Sequence, residues 1–307
     1  MIQPELKAYR RCSDRHVLVL ETNLTYVEKC QIFHYADLVR KAGNELTGIM
    51  KKRYDQLVRT KRYRKLKSLY KRYKDADNKK TLKDVCDQMK EMQKQYDVTW
   101  DYCRTSMIPI GKKYGIDAVF ALTKAEDVFR GIEKCLYSDG ETVHFKKRGD
   151  LPCIRAKQIN RGIIMKQMNF KFKNIEFGVN IKDRYEQEEV DAILYYLKHA
   201  EFMDSIAANT YKETDICVST YRPCYVSLVC KKIRGKLRVY VHITIEGLSK
   251  PKQDRFGNMK HNKGKGIVGC DIGTQTIAYT TETKVGLKNL AERGSCIEAV
   301  SYTHLTL

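Results

Sequence analysis

The chain combines two hydrophobic patterns, one with apolar residues every three or four positions and one with apolar residues every second position. The first pattern runs from about residue 26 to residue 136, in a stretch that has few prolines and is rich in Lys, Leu, Gln and Glu. Its clearest series is Leu82, Val85, Met89, Met92 and Tyr96. This spacing predicts a helical segment over residues 26–138, and the wide gap between Val58 and Leu66 predicts a helix break or a turn.

The second pattern predicts strands on both sides of the helical segment. Residues 16–23 form a short apolar run that suits a buried strand, within an opening segment of residues 1–25. Short strand candidates follow at 142–145 and 153–155, and a single helix is predicted at about 186–199.

The clearest strand signal is a hairpin near residue 235. Residues 225–230 precede an Arg234-Gly235 turn, and residues 237–246 then alternate strictly. One predicted face carries Leu237, Val239, Val241, Ile243 and Ile245, and the other carries Arg238, Tyr240, His242, Thr244 and Glu246. We therefore predict a half-buried antiparallel ribbon with a polar, partly basic outer face, closing a strand-rich region over residues 139–248.

Charge is the unusual feature of the composition. The 307 residues contain 58 Lys and Arg against 37 Asp and Glu, a formal net charge of +21. Such an excess of positive charge predicts a polyanionic partner, and the two candidates are nucleic acid and an anionic membrane surface. No window holds 18 consecutive apolar residues and the first residues lack an apolar signal-peptide core, so we expect a cytoplasmic protein that does not bind membranes.

The candidate nucleic-acid contacts are concentrated between residues 51 and 80, with a second group near residue 147 and a third in a lysine-rich linker at 249–265. The predicted contacts are Lys51, Lys52, Arg53, Arg59, Lys61, Arg62, Arg64, Lys65, Lys67, Lys71, Arg72, Lys74, Lys146, Lys147, Arg148, Lys263 and Lys265. On helices these side chains would cover the faces left free by the apolar stripe. The interleaved tyrosines either stack on unpaired bases or complete the helix core.

The second candidate site is Asp271. It lies in the segment 266–279, where an apolar run delivers one carboxylate and Gly273 permits a tight turn. An Asp at the end of a core strand can hold a divalent metal against a phosphate, and it can also simply cap a turn. Two enzyme groups use this pattern: RuvC-type nucleases, and ATPases of the actin, Hsp70 and sugar-kinase type. The ATPase motif normally opens its domain, whereas about 265 residues precede it here.

This order of elements resembles the TnpB (OrfB) family of insertion-sequence proteins, relatives of the small type V CRISPR effectors. The resemblance implies an α+β fold in which a helical recognition domain (26–138) is inserted in a strand-rich, β-barrel-like wedge domain (1–25 and 139–248). After the basic linker 249–265 come the first strands of an RNase H-like RuvC domain (266–300). The resemblance also implies a guide RNA and target DNA as partners, and Asp271 as a catalytic ligand of Mg²⁺. The resemblance is compatible with one copy of the chain, or with a homodimer, bound to a single RNA.

The chain departs from the family after Asp271. No Asp follows that position. The glutamates that do follow lie too near it to match the family's later Glu; they are Glu282, Glu292 and Glu298. The eleven cysteines include no CxxC pair. We therefore expect no zinc site in this chain. Residues 301–307 look foreign to the domain, so the chain is predicted to be truncated and to bind nucleic acid without cutting it. The alternatives are a non-catalytic nucleic-acid-binding protein and an ATPase fragment of the Hsp70 or sugar-kinase type.

Overall fold

The computed structural model describes residues 15–75, 79–138, 140, 142–201, 221–247, 249, 252, 269–272, 276–280 and 285–289. It is a mixed α+β structure with antiparallel sheets. The chain divides into two compact units, residues 1–250 and 251–307, and each is described by itself.

In the first unit a strand is followed by five consecutive helices. Strand β1 (Arg15–Thr22) leads into α1 (Tyr26–Arg59), α2 (Lys61–Asp75), α3 (Lys79–Gln95), α4 (Trp100–Lys113) and α5 (Ala118–Tyr137). Helix α1 begins with a capping box, in which Thr25 accepts a hydrogen bond from the Glu28 amide and the Glu28 carboxylate accepts one from the Thr25 amide. The predicted break after Val58 is confirmed, because α1 ends at Arg59 and α2 begins at Lys61.

The rest of the first unit is mostly strand. The elements are β2 (Ile154–Arg155), β3 (Ile163–Lys166), β4 (Asn169–Phe172), β5 (Ile175–Phe177), β6 (Val179–Asn180), α6 (Arg184–Lys198), β7 (Arg222–Ile233) and β8 (Lys236–Glu246). Strands β3, β4 and β5 form a small meander of their own. The β7–β8 ribbon and the helix near residue 190 confirm the sequence predictions for those segments.

The main sheet has the strand order β2–β7–β8–β1–β6, with every described pairing antiparallel. Strand β1 lies beside β8 although more than 200 residues separate them in the chain, with Leu18 opposite Ile243. Helices α1 to α5 therefore lie, in chain order, between two strands of one sheet. The core is continuous from helix to sheet, since α1 packs against β7 and β8 and α5 against β2.

Two strand predictions are wrong in detail. Residues 142–145 form no strand, because the following residue, Lys146, exchanges its backbone hydrogen bonds with the Asn44 side chain of α1 instead of a neighbouring strand. The described residues cover strand β1 on one face, so Leu18 and Leu20 are buried while Val17 is 50% exposed.

The predicted outer face of β8 is also partly buried. Thr244 and Glu246 are both shielded from solvent. Glu246 stands opposite Arg15 on one side and Arg222 on the other, and cross-strand opposite charges favour such a close arrangement.

The second unit contains a three-stranded antiparallel sheet of β9 (Gly269–Ile272), β10 (Thr276–Thr280) and β11 (Val285–Asn289), with β10 in the centre. Asp271 lies in β9, opposite Ala278 of β10. Outside the described residues lie the Asp271 side chain, Gly273, where a turn is predicted, and Lys263 and Lys265 of the predicted linker.

Candidate nucleic-acid interface

Helix α2 is the most cationic element of the chain. It carries eight Lys and Arg residues, and its one acidic residue is the last, Asp75. Thr60 separates it from α1: its amide donates to the Leu57 carbonyl, and its hydroxyl accepts a hydrogen bond from the Tyr63 amide of α2. Thr60 thus ends one helix and caps the next, which fixes the direction in which α2 leaves α1.

The apolar stripe of α2 determines where its charges point. Tyr63 is fully buried and Leu66 is buried, while Leu69, Tyr70 and Tyr73 pack partly against the core. Seven of the eight cations are therefore exposed on the remaining faces. We call these seven the α2 surface: Lys61, Arg62, Arg64, Lys65, Lys71, Arg72 and Lys74.

The α2 surface is not neutralised by the protein. Within the part of the chain that the structure describes, none of its seven side chains forms an ion pair with a carboxylate. The neighbouring contacts are of other kinds: Arg64 donates to the Arg59 carbonyl over 3.4 Å, and the Lys74 ammonium lies 6.0 Å from the centre of the Tyr70 ring. Exposed cations without carboxylate partners are available to phosphate groups.

The eighth cation of α2, Lys67, has a structural role. Its ammonium donates a 2.6 Å hydrogen bond to the Cys135 carbonyl in the last turn of α5. That carbonyl has no partner within its own helix, so Lys67 ties α2 to α5. Burial, together with the nearby charge of Lys71, lowers the pKa of Lys67. The structure thus places Lys67 apart from the α2 surface.

The predicted cations of α1 divide in the same way. Lys51 pairs with Asp55 over 2.5 Å, and Arg53 lies 3.7 Å from Asp97 and over the Tyr102 ring. Lys52 and Arg59 are exposed and have no carboxylate partner among the described residues. Lys52 and Arg59 are therefore also available to phosphate groups, whereas Lys51 and Arg53 are already neutralised.

Lys146, Lys147 and Arg148 are all exposed, on a segment that is held against α1. The Asn44 side chain accepts a hydrogen bond from the Lys146 amide and donates one to its carbonyl, both over 2.9 Å. Such a double contact fixes the backbone and leaves the three cationic side chains to solvent.

The tyrosines near α2 belong mainly to the core. Tyr54 and Tyr63 are buried, and burial raises the pKa of both hydroxyls. Tyr70 is partly exposed and meets the Tyr137 ring edge-on at 5.7 Å between centroids. The two rings line a cleft of about 430 Å³ between α2 and the end of α5, together with Lys67, Lys71 and Lys74. Of these tyrosines, Tyr70 is the best placed to meet a base.

One buried cation was not predicted from the sequence. Lys124 occupies the apolar face of α5, between the buried residues Ala121 and Val128, and is only 8% exposed. The signal was present in the sequence, because a lysine three residues after Ala121 and four before Val128 falls on the core side of a helix.

Within the described ranges no helix is both long and apolar enough to cross a membrane, and no three His, Cys, Asp or Glu side chains gather as metal ligands do. A scan of the sequence against protein-family models gave no match, and a search of curated proteins gave no significant match.

Proposed function

We propose that this protein binds nucleic acid through the α2 surface. The observation that carries the proposal is the set of seven exposed cations on one helix, none with a carboxylate partner among the described residues. Each phosphate that such a cation neutralises releases condensed counterions, so binding is strong at low salt and tolerant of sequence. Lys52 and Arg59 of α1 add two more exposed cations without a carboxylate partner among the described residues.

The more specific proposal is an RNA-guided DNA endonuclease of the TnpB type, with a guide RNA and target DNA as partners. Two features support it. Helices α1 to α5 fall in chain order between strands β1 and β8 of one sheet, as expected for a helical segment within a wedge. Asp271 lies in a strand that pairs with the next strand along the chain.

In this proposal Asp271 would supply one of the carboxylates that hold Mg²⁺, and the metal would supply Lewis acidity for phosphodiester hydrolysis in the complete nuclease. The chain by itself, which has no Asp after Asp271, is expected to bind nucleic acid without cutting it. A carboxylate is a ligand type that Mg²⁺ prefers. The sequence-tolerant cations of α2 hold the strand, and guide pairing would select the target.

The binding proposal is tested by comparing two triple variants that remove the same charge. The first is Arg62→Gln, Arg64→Gln and Lys65→Gln, all on the α2 surface. The control is Lys113→Gln, Lys171→Gln and Arg184→Gln, at sites where each cation already pairs with a carboxylate. Affinity for a fluorescent structured RNA is measured by anisotropy at 100 mM KCl.

We expect the α2 triple variant to lose about 100-fold in affinity, since about three phosphate contacts disappear. The control should lose less than about fivefold, because the remaining change is long-range and screened. Equal losses in the two variants, or no binding by the unaltered protein at 50 mM KCl, would refute the binding proposal.

The guide-RNA part is tested separately by sequencing the RNA that co-purifies with the protein from its native host. We expect one structured RNA species to dominate in the unaltered protein and to be depleted in the α2 triple variant. A random sample of cellular RNA would leave nucleic-acid binding in place but refute a dedicated guide.

A further inference from the structure

Lys124 projects into a cavity of about 930 Å³ in the first unit. The cavity lies between α1, α5 and the segment from Gly140 to Cys153. Lys124 is 8% exposed, and in the portion of the chain that the structure describes it makes no hydrogen bond or ion pair. A largely desolvated ammonium without a hydrogen-bond partner is unfavourable, because the solvent contact that remains replaces only part of its hydration.

A glycine in the middle of α1 makes room for this lysine. A methyl group built on Gly43 would overlap Lys124 Cε and would lie 3.3 Å from both Cδ and Cγ. Glycine is less favourable than alanine in the interior of a helix. At position 43 it leaves the space through which the aliphatic part of the Lys124 side chain passes α1. The arrangement directs the ammonium into the cavity instead of out to solvent.

The other charged groups of the cavity are mostly cationic. Lys134 and Lys146 line it together with Lys124. The carboxylate in the wall, Asp127, is already engaged, since it accepts a 2.5 Å hydrogen bond from Arg155. Burial lowers the pKa of Lys124; the negative charge of Asp127 opposes this effect in part, and the charges of Lys146 and Arg155 add to it. An anion is the ligand that this set of groups would stabilise.

The cavity also has the polar groups and the entrance that a nucleotide needs. Asn44, Thr47 and His144 line it, and Asn44 fixes the Lys146 backbone at its edge. Lys146, Lys147 and Arg148 form an exposed cationic approach. The volume lies within the range of about 300–1,000 Å³ that small-molecule sites occupy, which suits one nucleotide and excludes a duplex.

We infer that this cavity receives a single nucleotide of the bound strand and that Lys124 contacts its phosphate. The inference rests on the proposed nucleic-acid binding and adds a specific, buried contact to the exposed α2 surface. The phosphate supplies a direct counter-charge, whereas in the free protein the Asp127 carboxylate is hydrogen-bonded to Arg155 and acts on Lys124 without a direct ion pair.

Two variants remove the Lys124 ammonium from the cavity in chemically different ways. Lys124→Met removes the charge and keeps the length of the side chain. Gly43→Ala keeps the charge and displaces the stem. Gly48→Ala is the matched control on the same helix, because a methyl group there meets only the Phe145 ring edge at 3.9 Å. Binding of a single-stranded RNA 15-mer is followed by anisotropy from 50 to 300 mM KCl, and thermal stability is recorded for each variant.

We expect Lys124→Met and Gly43→Ala each to weaken RNA binding about fivefold to tenfold and to flatten the salt slope by about one unit. Gly48→Ala should bind like the unaltered protein. The double variant should be no weaker than Lys124→Met alone, since both changes remove the same contact. Loss of affinity without loss of thermal stability separates this contact from a folding defect.

A second experiment uses a free nucleotide in place of RNA. If adenosine 5′-monophosphate stabilises the unaltered protein but not Lys124→Met, while RNA affinity is the same in both, the cavity serves a free nucleotide and the strand assignment is overturned. If RNA affinity is unchanged by both cavity variants yet falls in the α2 triple variant, the cavity inference fails and the proposed function stands.

Discussion

The α2 surface and Lys124 present the same charge in opposite surroundings. The seven cations of the α2 surface are exposed and strongly hydrated, so their charges act together and individual positions are interchangeable. Lys124 is buried, unpartnered among the described residues, and dependent on the glycine that lets it pass. The difference shows that net charge alone does not locate a binding site: exposure and pairing decide which cations remain available.

The largest expected effect comes from breaking the support of the α2 surface. Tyr63 is fully buried beneath it, and Tyr63→Ala should lower the free energy of unfolding by about 3–5 kcal/mol. Thermal unfolding followed by circular dichroism measures the change. RNA affinity should fall with it, because α2 loses its anchor. Full RNA affinity in a variant whose α2 has unfolded would show that the surface does not depend on the helix.

Tyr63→Phe is the matched control, since the Tyr63 hydroxyl is buried without a well-formed hydrogen bond: the nearby Gln93 side chain is engaged with the Tyr137 hydroxyl. Removing an unsatisfied hydroxyl is expected to leave stability unchanged or raise it by up to about 1 kcal/mol. A marked loss of stability would mean that this hydroxyl has a partner.

Lys67 sharpens the comparison, because it belongs to α2 in sequence but is tied to α5. Lys67→Met should lower the free energy of unfolding by about 1–2 kcal/mol through loss of the bond to the Cys135 carbonyl. Arg64→Met, on the α2 surface, should leave stability within about 0.5 kcal/mol and weaken RNA binding instead. Chemical denaturation and anisotropy measure the two effects. A loss of stability in Arg64→Met, together with a loss of RNA affinity alone in Lys67→Met, would contradict the separate roles of the two residues.

Lys124→Met should raise stability at pH 7 by about 1 kcal/mol, which in a unit of this size raises Tm by about 2–4 °C. The pKa of Lys124 is lowered in the folded protein, so the unfolded chain binds more protons between the folded pKa and 10.5. The destabilisation that Lys124 causes is therefore complete below its folded pKa and disappears as the pH rises through that interval. Tm measured for both proteins from pH 7 to 10.5 should converge; a constant difference would show that Lys124 is not desolvated.

The smallest effect concerns His16, a half-buried side chain that has a carboxylate partner when it is protonated. Burial by itself lowers the pKa of His16, but hydrogen bonds to Glu189 and to the Gly247 carbonyl outweigh it, and the pKa is raised. The stabilisation from His16 is thus complete below its unfolded pKa of 6.5 and is lost as the pH rises through the folded value. Relative to His16→Asn, the unaltered protein should lose up to about 1 kcal/mol between pH 6 and 8, measured by urea denaturation. A difference between the two proteins that does not vary with pH would contradict the pairing with Glu189.

The elements that the sequence predicts best are those in which one pattern repeats without interruption. The β7–β8 ribbon has strict alternation and a turn at Arg234 and Gly235, both of which adopt positive φ. The β3–β5 meander was missed, because its strands are short. Its two tight turns begin with Gln167 and Lys173, which adopt positive φ values of 54° and 53° although neither residue type signals a turn.

The candidate site was predicted only as a list of charges. The sequence identifies the density of cations on α2, and the i,i+4 spacing of Lys51 and Asp55 already indicates that pair. The pairing of Arg53 with Asp97 and the bond from Lys67 to α5 depend on tertiary contacts. The pairing of β1 with β8 likewise joins segments more than 200 residues apart, which local spacing cannot predict. The role of Asp271 stays a prediction.

The central claim is that the unpaired cations of the α2 surface contact phosphates directly. The most direct measurement is the slope of log affinity against log salt concentration for the two charge-matched triple variants. The account predicts that the variant at Arg62, Arg64 and Lys65 loses about two to three units of slope, while the variant at Lys113, Lys171 and Arg184 keeps the slope of the unaltered protein. Parallel slopes for all three proteins would contradict it.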